Sequence, residues 1–347
     1  MDVEAVARRR GLPLRILITR LRFLGDVILT TPTIAAVKER YPEGEIYYLA
    51  ERPYAEILEE NPHLAGIIPL DRGPRGTLAA LGAMRRRRFT AAVDLFYNPR
   101  SAWLLFFSGI PIRVGGSRRA RRKLYTHVFT GTPYARSAVA HHLAAVAAID
   151  VHGRDGLPKA YLRPEERSAG RAIVDASFPG EHGRVIALHP GGTWPSKRWP
   201  AASFAKLAGM LAEKLGTRFL IITGPGEDEL AEIVRRDSPA ETAVLSRLPI
   251  RTVAAVLDAC AAVIANDGGI LHLAVALGKP TVGIFGPTEP EVWFPYEGSG
   301  PFALVTRRAG CAPCHRHFCD ELECLRGIEP GEVLARVESV LAGRSAT

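Results

Sequence analysis

Short apolar runs alternate along this chain with longer stretches in which apolar positions recur every three or four residues. Residues 15–19 (RILIT) read as a strand, 26–41 as a helix, and 46–50 as a second strand after the turn at 42–44. A short helix at 54–60, a strand at 66–70, a helix at 77–88, a strand at 90–95 and a helix that includes 141–149 continue the rhythm. Strands separated by helices at this spacing imply a parallel sheet. Residues 151–166 (VHGRDGLPKAYLRPEE) gather Gly, Pro and charge, which marks a domain boundary. The alternation then restarts, with strands at 185–189, 218–223, 262–265 and 281–285 and helices at 201–215, 227–236, 253–259 and 270–277. The expected class is α/β: two Rossmann-like, doubly wound parallel-sheet domains, 1–165 and 166–347, facing across a cleft. Ligands in such sheets sit at the carboxyl ends of strands.

Composition agrees with this picture and narrows it. A chain of 347 residues, 47% hydrophobic and 23% charged, holds two α/β domains of ordinary size and has none of the biases of disordered, collagenous or disulfide-stapled chains. Its longest apolar stretches, such as 102–111 and 270–277, fall short of the roughly 18 to 20 residues of a membrane span. The N-terminus has no apolar core followed by a small-residue cleavage site, so a cytoplasmic location is expected. Five cysteines, four of them crowded near the C-terminus, point to a reducing compartment rather than an oxidised framework.

Charge divides the halves. Residues 1–170 hold 27 basic and 16 acidic side chains, a net +11, and the remainder is −2. The densest runs are Arg8 to Arg10, Arg85 to Arg88, and Arg118, Arg119, Arg121, Arg122 and Lys123. Each run alone is as readily a solvated face. The asymmetry suggests that the first domain meets a polyanion: nucleic acid, an anionic membrane or a phosphorylated substrate. No stacking aromatics interleave the runs and no zinc-finger or RNP-like motif is present, so nucleic acid is not expected.

Candidate chemistry lies just after the strands. In HPGGTWPSKRWP, glycines let backbone N–H groups approach an anion and Lys197 supplies a point charge, although a tight turn with a surface lysine fits as well. In TGPGED, Glu227 suits the two hydroxyls of a ribose, or simply a helix's first turn. In NDGGILH, polar and glycine residues open an apolar helix whose positive end suits a diphosphate, with His272 in the first turn or in the core. Neither GxGxxG nor a Walker A pattern occurs. In the first half, Asp26 follows a strand, where it serves as a helix N-cap or as a general base. One carboxylate suffices for inverting sugar transfer, with separate cations and dipoles stabilising the leaving group.

The segments ITRLRFLGDVILTTP, HPGGTWPSKRWP, ITGPGEDE and NDGGILHLAVALGKPTVGIFGPTEP, in this order over nearly the whole chain, resemble glycosyltransferase family 9, the ADP-heptose:lipopolysaccharide heptosyltransferases. The resemblance implies a GT-B fold, with an acceptor domain first and a nucleotide-sugar domain second, and inverting transfer that requires no metal cofactor. It implies Asp26 as catalytic base, Thr193 and Lys197 at the donor diphosphate, Glu227 at the ribose and Leu248 beside the adenine. Asp267, Gly268, Gly269 and His272 would form the diphosphate-facing helix start. The acceptor would be the phosphorylated inner core on Kdo-lipid A at the inner leaflet of the inner membrane, met by the basic first half. Arg118, Arg119 and Arg122 are acceptor-contact candidates from local charge. Cys311, Cys314, Cys319 and Cys324, with His315 and His317 between them, are numerous enough for a structural metal, yet their spacing is not that of paired CxxC knuckles. The resemblance reads them as reduced or packing cysteines, in a tail like that of the second heptosyltransferase. Other donors or acceptors within the family, including the first or third heptose or a protein, and a non-catalytic anion-binding module are the competing expectations.

Overall fold

The structure, a computed structural model, describes residues 2–117, 119–130, 137–180 and 183–343. It divides into two units, Met1–Tyr161 and Leu162–Thr347.

The first unit is built on β1 (Arg15–Thr19), β2 (Glu45–Glu51), β3 (Gly66–Leu70), β4 (Ala91–Asp94), β5 (Ile112–Gly116) and β6 (His127–Phe129). These form one six-stranded sheet in the order β3-β2-β1-β4-β5-β6, parallel throughout. β1 is central, and its apolar run is buried on both faces, as a parallel strand covered by helices requires. Its neighbours part in sequence there: β2 pairs on one side and β4 on the other, so the crevice of the topological switch opens at the carboxyl end of β1.

The second unit repeats the plan with β7 (Val185–His189), β8 (Arg218–Thr223), β9 (Thr242–Ser246), β10 (Ala262–Asn266), β11 (Thr281–Phe285) and β12 (Phe302–Thr306). Their order is β12-β11-β10-β7-β8-β9, again parallel, with the switch between β7 and β10. β7, β10 and β11 are buried along their whole length. Trp199, Phe204 and Phe219 fill the core beneath the helix Ala201–Leu215, and Val333, Val337 and Val340 of the C-terminal helix Pro330–Leu341 join the same cluster.

Three differences from the sequence expectation have local causes. The single helix expected at 26–41 is two, Leu24–Ile28 and Thr31–Arg40, because Pro32 starts a new first turn and the hydroxyls of Thr30 and Thr31 bond back to the carbonyls of Val27 and Ile28. The helices Val3–Arg10 and Gly73–Arg87 end on Arg8 to Arg10 and Arg85 to Arg87, so two of the arginine runs lie where cations complement the helix dipole. The unit division falls upstream of the expected boundary at 165/166. Pro164 opens the helix Pro164–Ser177, and Glu166 accepts a 2.8 Å bond from the Arg163 N–H, so a cut at 165/166 would split that helix's first turn.

That helix packs closely on the helix Ile250–Ala259. A Cβ at Gly170 would lie 2.2 Å from the Ala255 carbonyl oxygen, so only glycine permits the approach. Arg251 clasps Glu166 through two 2.5 Å bonds. Those bonds hold the Glu166 carboxyl at about 2, against the opposing effect of burial. The bridge therefore stabilises the fold above the ordinary carboxylate value and loses that contribution progressively as pH falls toward 2. Glu166→Gln is expected to cost about 2 kcal/mol near neutral pH. Urea unfolding of the two proteins should show the gap narrowing between about pH 5 and about pH 2.

Candidate active site

At the carboxyl end of β1 the chain turns into the short helix Leu24–Ile28, with Asp26 at its third position. Asp26 is not the N-cap; that position is Phe23, whose backbone N–H donates to Asp26 Oδ2 at 3.0 Å. The other carboxylate oxygen pairs with Arg20. Arg20 is itself held by a 2.8 Å bond to the Leu95 carbonyl and by the Phe96 ring, 5.0 Å from its guanidinium carbon. The Asp26 side chain keeps 20% of its surface exposed, so a carboxylate of fixed orientation faces solvent at the switch point.

The loop that holds Arg20 is anchored by Asp94, the last residue of β4, which is fully buried. It accepts bonds from the Phe96 and Tyr97 N–H groups at 2.9 and 3.1 Å and from the Ser101 and Tyr125 hydroxyls at 2.7 Å each. Burial pushes its carboxyl up, and the four donors act in the opposite direction. Sequence reasoning missed both Arg20 and Asp94, although both stand at strand ends. Of the expected acceptor arginines, Arg118 lies outside the described residues. Arg119 and Arg122 belong to the short 3-10 helix Arg119–Leu124, where Arg122 is exposed. Among the described residues no hydrogen bond or ion pair joins Arg122 to Asp26.

In the second unit the expected residues cluster at the ends of β7, β8 and β10. Asn266 closes β10 and ties the loop after β7 to it: its amide donates to the Pro190 and Gly191 carbonyls at 2.9 and 3.0 Å, and its carbonyl accepts from the Trp199 N–H at 3.1 Å. Lys197, on that loop, meets Asp267 at 2.6 Å and lies 4.5 Å from the Trp194 ring centroid. Asp267 is buried and also accepts a 2.6 Å bond from the Thr288 hydroxyl. Gly268 caps the helix Gly269–Ala276, whose first N–H groups have no partner within the helix. A Cβ on Gly268 would meet only the Asn266 carbonyl oxygen at 3.8 Å, so this approach is open. A cation and a helix N-terminus thus stand together at the switch point, as an anion site requires.

Glu227 sits opposite, with each carboxylate oxygen accepting one 2.8 Å backbone bond, from Gly192 and from Gly224. A Cβ at Gly191 would lie 2.1 Å from this carboxylate, so glycine there is what lets Glu227 reach the loop after β7. Each oxygen retains a lone pair for a hydroxyl ligand. Thr193 is exposed, and Leu248 is half-buried in the turn after β9, beside the end of β8 to which Arg247 bonds at 3.0 Å. His272 is buried, with its ring edge-on to Tyr296 at 6.2 Å. Asn266, Thr288 and Trp194 were missed, although all three lie within or beside the quoted segments.

Comparison with known proteins settles the family. Residues 78–324 match glycosyltransferase family 9 (heptosyltransferase). This chain is a family 9 glycosyltransferase. It is similar to lipooligosaccharide heptosyltransferase 2 of Haemophilus influenzae, at 26% identity over 80% of this chain and 85% of that one. It is also similar to lipopolysaccharide heptosyltransferase 1 of Pseudomonas aeruginosa, at 28% identity over 88% and 87%. Among solved structures, E. coli ADP-heptose lipopolysaccharide heptosyltransferase II shares the fold with a TM-score of 0.79, at 22% identity over 94% of this chain and 98% of that one. The donor-side residues fall inside the matched family segment and Asp26 precedes it.

In this family 9 chain the cysteine-bearing tail leans on the loop that carries Lys197. The Ser196 N–H donates to the His317 carbonyl at 3.2 Å, its hydroxyl donates to the Arg316 carbonyl, and His317 stacks on Trp194 at 4.1 Å. The N–H groups of Cys314 and His315 bond the Pro287 carbonyl at 3.0 and 3.1 Å. Cys311 is exposed, Cys314 and Cys319 are half-buried and Cys324 is buried, all outside any disulfide. Burial, reinforced by the three neighbouring thiols, pushes the Cys324 thiol up. Among the described residues no three His, Cys, Asp or Glu side chains are grouped to hold a metal ion.

Proposed function

We propose that this enzyme transfers heptose from ADP-heptose to the phosphorylated inner core of lipopolysaccharide, with inversion at the anomeric carbon. The observation that carries the reading is Lys197, paired with Asp267 just before the N-terminus of the helix Gly269–Ala276, in a family 9 chain, since an ADP leaving group needs such a cation and dipole. The donor named for the E. coli structure is ADP-heptose, and the relatives' names specify lipopolysaccharide or lipooligosaccharide. Asp26 accepts the proton of the acceptor hydroxyl as its oxygen bonds to C1. The bond from C1 to the diphosphate breaks, and ADP leaves with the electron pair. Lys197 and the N–H groups at Gly269 receive the developing charge, so this step uses the chain's own groups and no metal. Asp267 positions Lys197, because a carboxylate facing the diphosphate directly would repel it. Glu227 takes the ribose hydroxyls and Leu248 the adenine face.

The second heptose is the proposed step, on the strength of the cysteine-bearing tail. Work at the inner leaflet, as a peripheral protein, follows from the acceptor's lipid anchor; among the described residues no helix is long and apolar enough to cross a membrane. The test is turnover of purified protein with ADP-heptose, in EDTA, on Kdo-lipid A carrying no heptose or one. Expected are transfer to the mono-heptosylated acceptor, retention of that activity in EDTA, and competition by ADP but not UDP. Preference for the heptose-free acceptor would assign the first step instead. ADP binding without transfer to either acceptor would remove the lipopolysaccharide assignment.

A further inference from the structure

The helix Pro99–Ser108 departs from the usual arrangement of a surface helix. Its inward positions Ser101, Ala102, Leu104 and Leu105 are buried, and its N-terminus is capped by Asn98, which accepts from the Ser101 N–H at 2.8 Å. Positions 103, 106 and 107 share the opposite face by their three- and four-residue spacing, where polar residues ordinarily stand. Here they are Trp103, Phe106 and Phe107, 47%, 41% and 52% exposed. The rings pack on one another, with Trp103 stacked on Phe107 at 5.4 Å and Phe106 edge-on to Phe107 at 5.5 Å. Leu78, 67% exposed, stands on the adjoining helix Gly73–Arg87. Three aromatic rings gathered in water mark an interaction surface.

Its rim is basic. Arg85 donates to the Phe107 carbonyl at 3.1 and 2.8 Å, and the Arg113 guanidinium carbon lies 5.6 Å from the Phe106 ring. At the foot of the helix a cleft of about 370 Å³ is bordered by Arg10, Arg85, Arg88 and Ser108, and among the described residues no carboxylate lines it. Among the described residues none of Arg10, Arg85, Arg86, Arg88 and Arg113 is in an ion pair.

We infer that this face seats the enzyme on an anionic bilayer, with Trp103, Phe106 and Phe107 entering the interfacial region and the surrounding arginines meeting headgroup phosphates. The inference rests on the peripheral reading above and assigns it a surface. Charge complementarity selects the occupant. A bilayer interface offers hydrocarbon to the rings and phosphate to the guanidinium groups. A second copy packed two-fold on the same face would set arginine against arginine. The helix is ten residues long, suited to lying in an interface and too short to span one. Its capped end leaves the same strand edge as Asp26, because β4 lies beside β1. A helix of this length covers ~15 Å.

The test is sedimentation with phosphatidylcholine vesicles, with and without about a quarter phosphatidylglycerol, comparing wild type, W103E/F107E, W103Q/F107Q and R10E, all checked for unchanged thermal unfolding. Wild type should bind the anionic vesicles at least about tenfold more tightly than the neutral ones, and each variant should lose at least about that factor. Transfer to vesicle-embedded acceptor should fall in step, while transfer to a deacylated, water-soluble acceptor stays unchanged. Equal vesicle binding by wild type and W103E/F107E overturns the surface, as does a wild-type dimer that the variant dissociates without altering vesicle binding. If neither acceptor is glycosylated while vesicle binding still depends on Trp103 and Phe107, the surface stands and the lipopolysaccharide reading falls.

Discussion

Asp26→Asn is expected to lower kcat by about 10³-fold while ADP affinity stays within about twofold. Asparagine has nearly the carboxylate's shape and still offers an oxygen to the Phe23 N–H, so the helix Leu24–Ile28 keeps its start. It cannot take a proton from a sugar hydroxyl at neutral pH. The loss therefore belongs to the transition state rather than to binding, and KM for either substrate should move little. Arg20→Lys separates orientation from chemistry. A lysine retains charge but cannot at once bond the Leu95 carbonyl, lie over Phe96 and reach Asp26, so a smaller loss of about tenfold is expected. Rapid-quench turnover with ADP calorimetry on the same preparations reads both quantities. A kcat within about tenfold of wild type for Asp26→Asn would leave the base to another group.

The central parts of both sheets were legible because their strands are continuous apolar runs bounded by turn residues, as in RILIT and VIALH. The edge strand β3 was read as well, whereas β5, β6, β9 and β12 were not. β5 (IRVGG) ends in two glycines, β6 (HVF) has three residues and is mostly exposed, and β9 (TAVLS) has no buried position, so these three carry no strong apolar run of their own. Gly115 shows what the pattern hides: a Cβ there would lie 2.2 Å from the Tyr125 ring, so the glycine is a packing requirement. The helix Pro99–Ser108 escaped because periodicity needs a polar face and this helix has aromatics in its place. Asp26, Lys197, Glu227 and Asp267 stood out as candidates because short motifs after strands carry them. Their partners Arg20, Asn266 and Thr288 act through contacts between strand ends, and Asn266 reaches residues 75 and 76 positions away in sequence. Residue type alone offered no sign of those pairings.

Lys197→Ala should weaken ADP binding by about 10²-fold and lower kcat/KM for the donor by at least as much. Two effects add. The cation proposed to face the leaving diphosphate is lost, and Asp267, 3% exposed at its side chain, is left as a buried carboxylate whose remaining side-chain donor among the described residues is the Thr288 hydroxyl. The second effect makes the pair separable. Lys197→Ala/Asp267→Asn removes the repelling charge along with the lysine and should bind ADP about tenfold better than the single variant, although it still lacks the cation needed in the transition state. Lys197→Arg keeps the charge over Trp194 and should retain most of the affinity. If the double variant binds ADP no better than Lys197→Ala, Asp267 does not act through its charge, and its role reduces to holding Thr288 and the loop after β11.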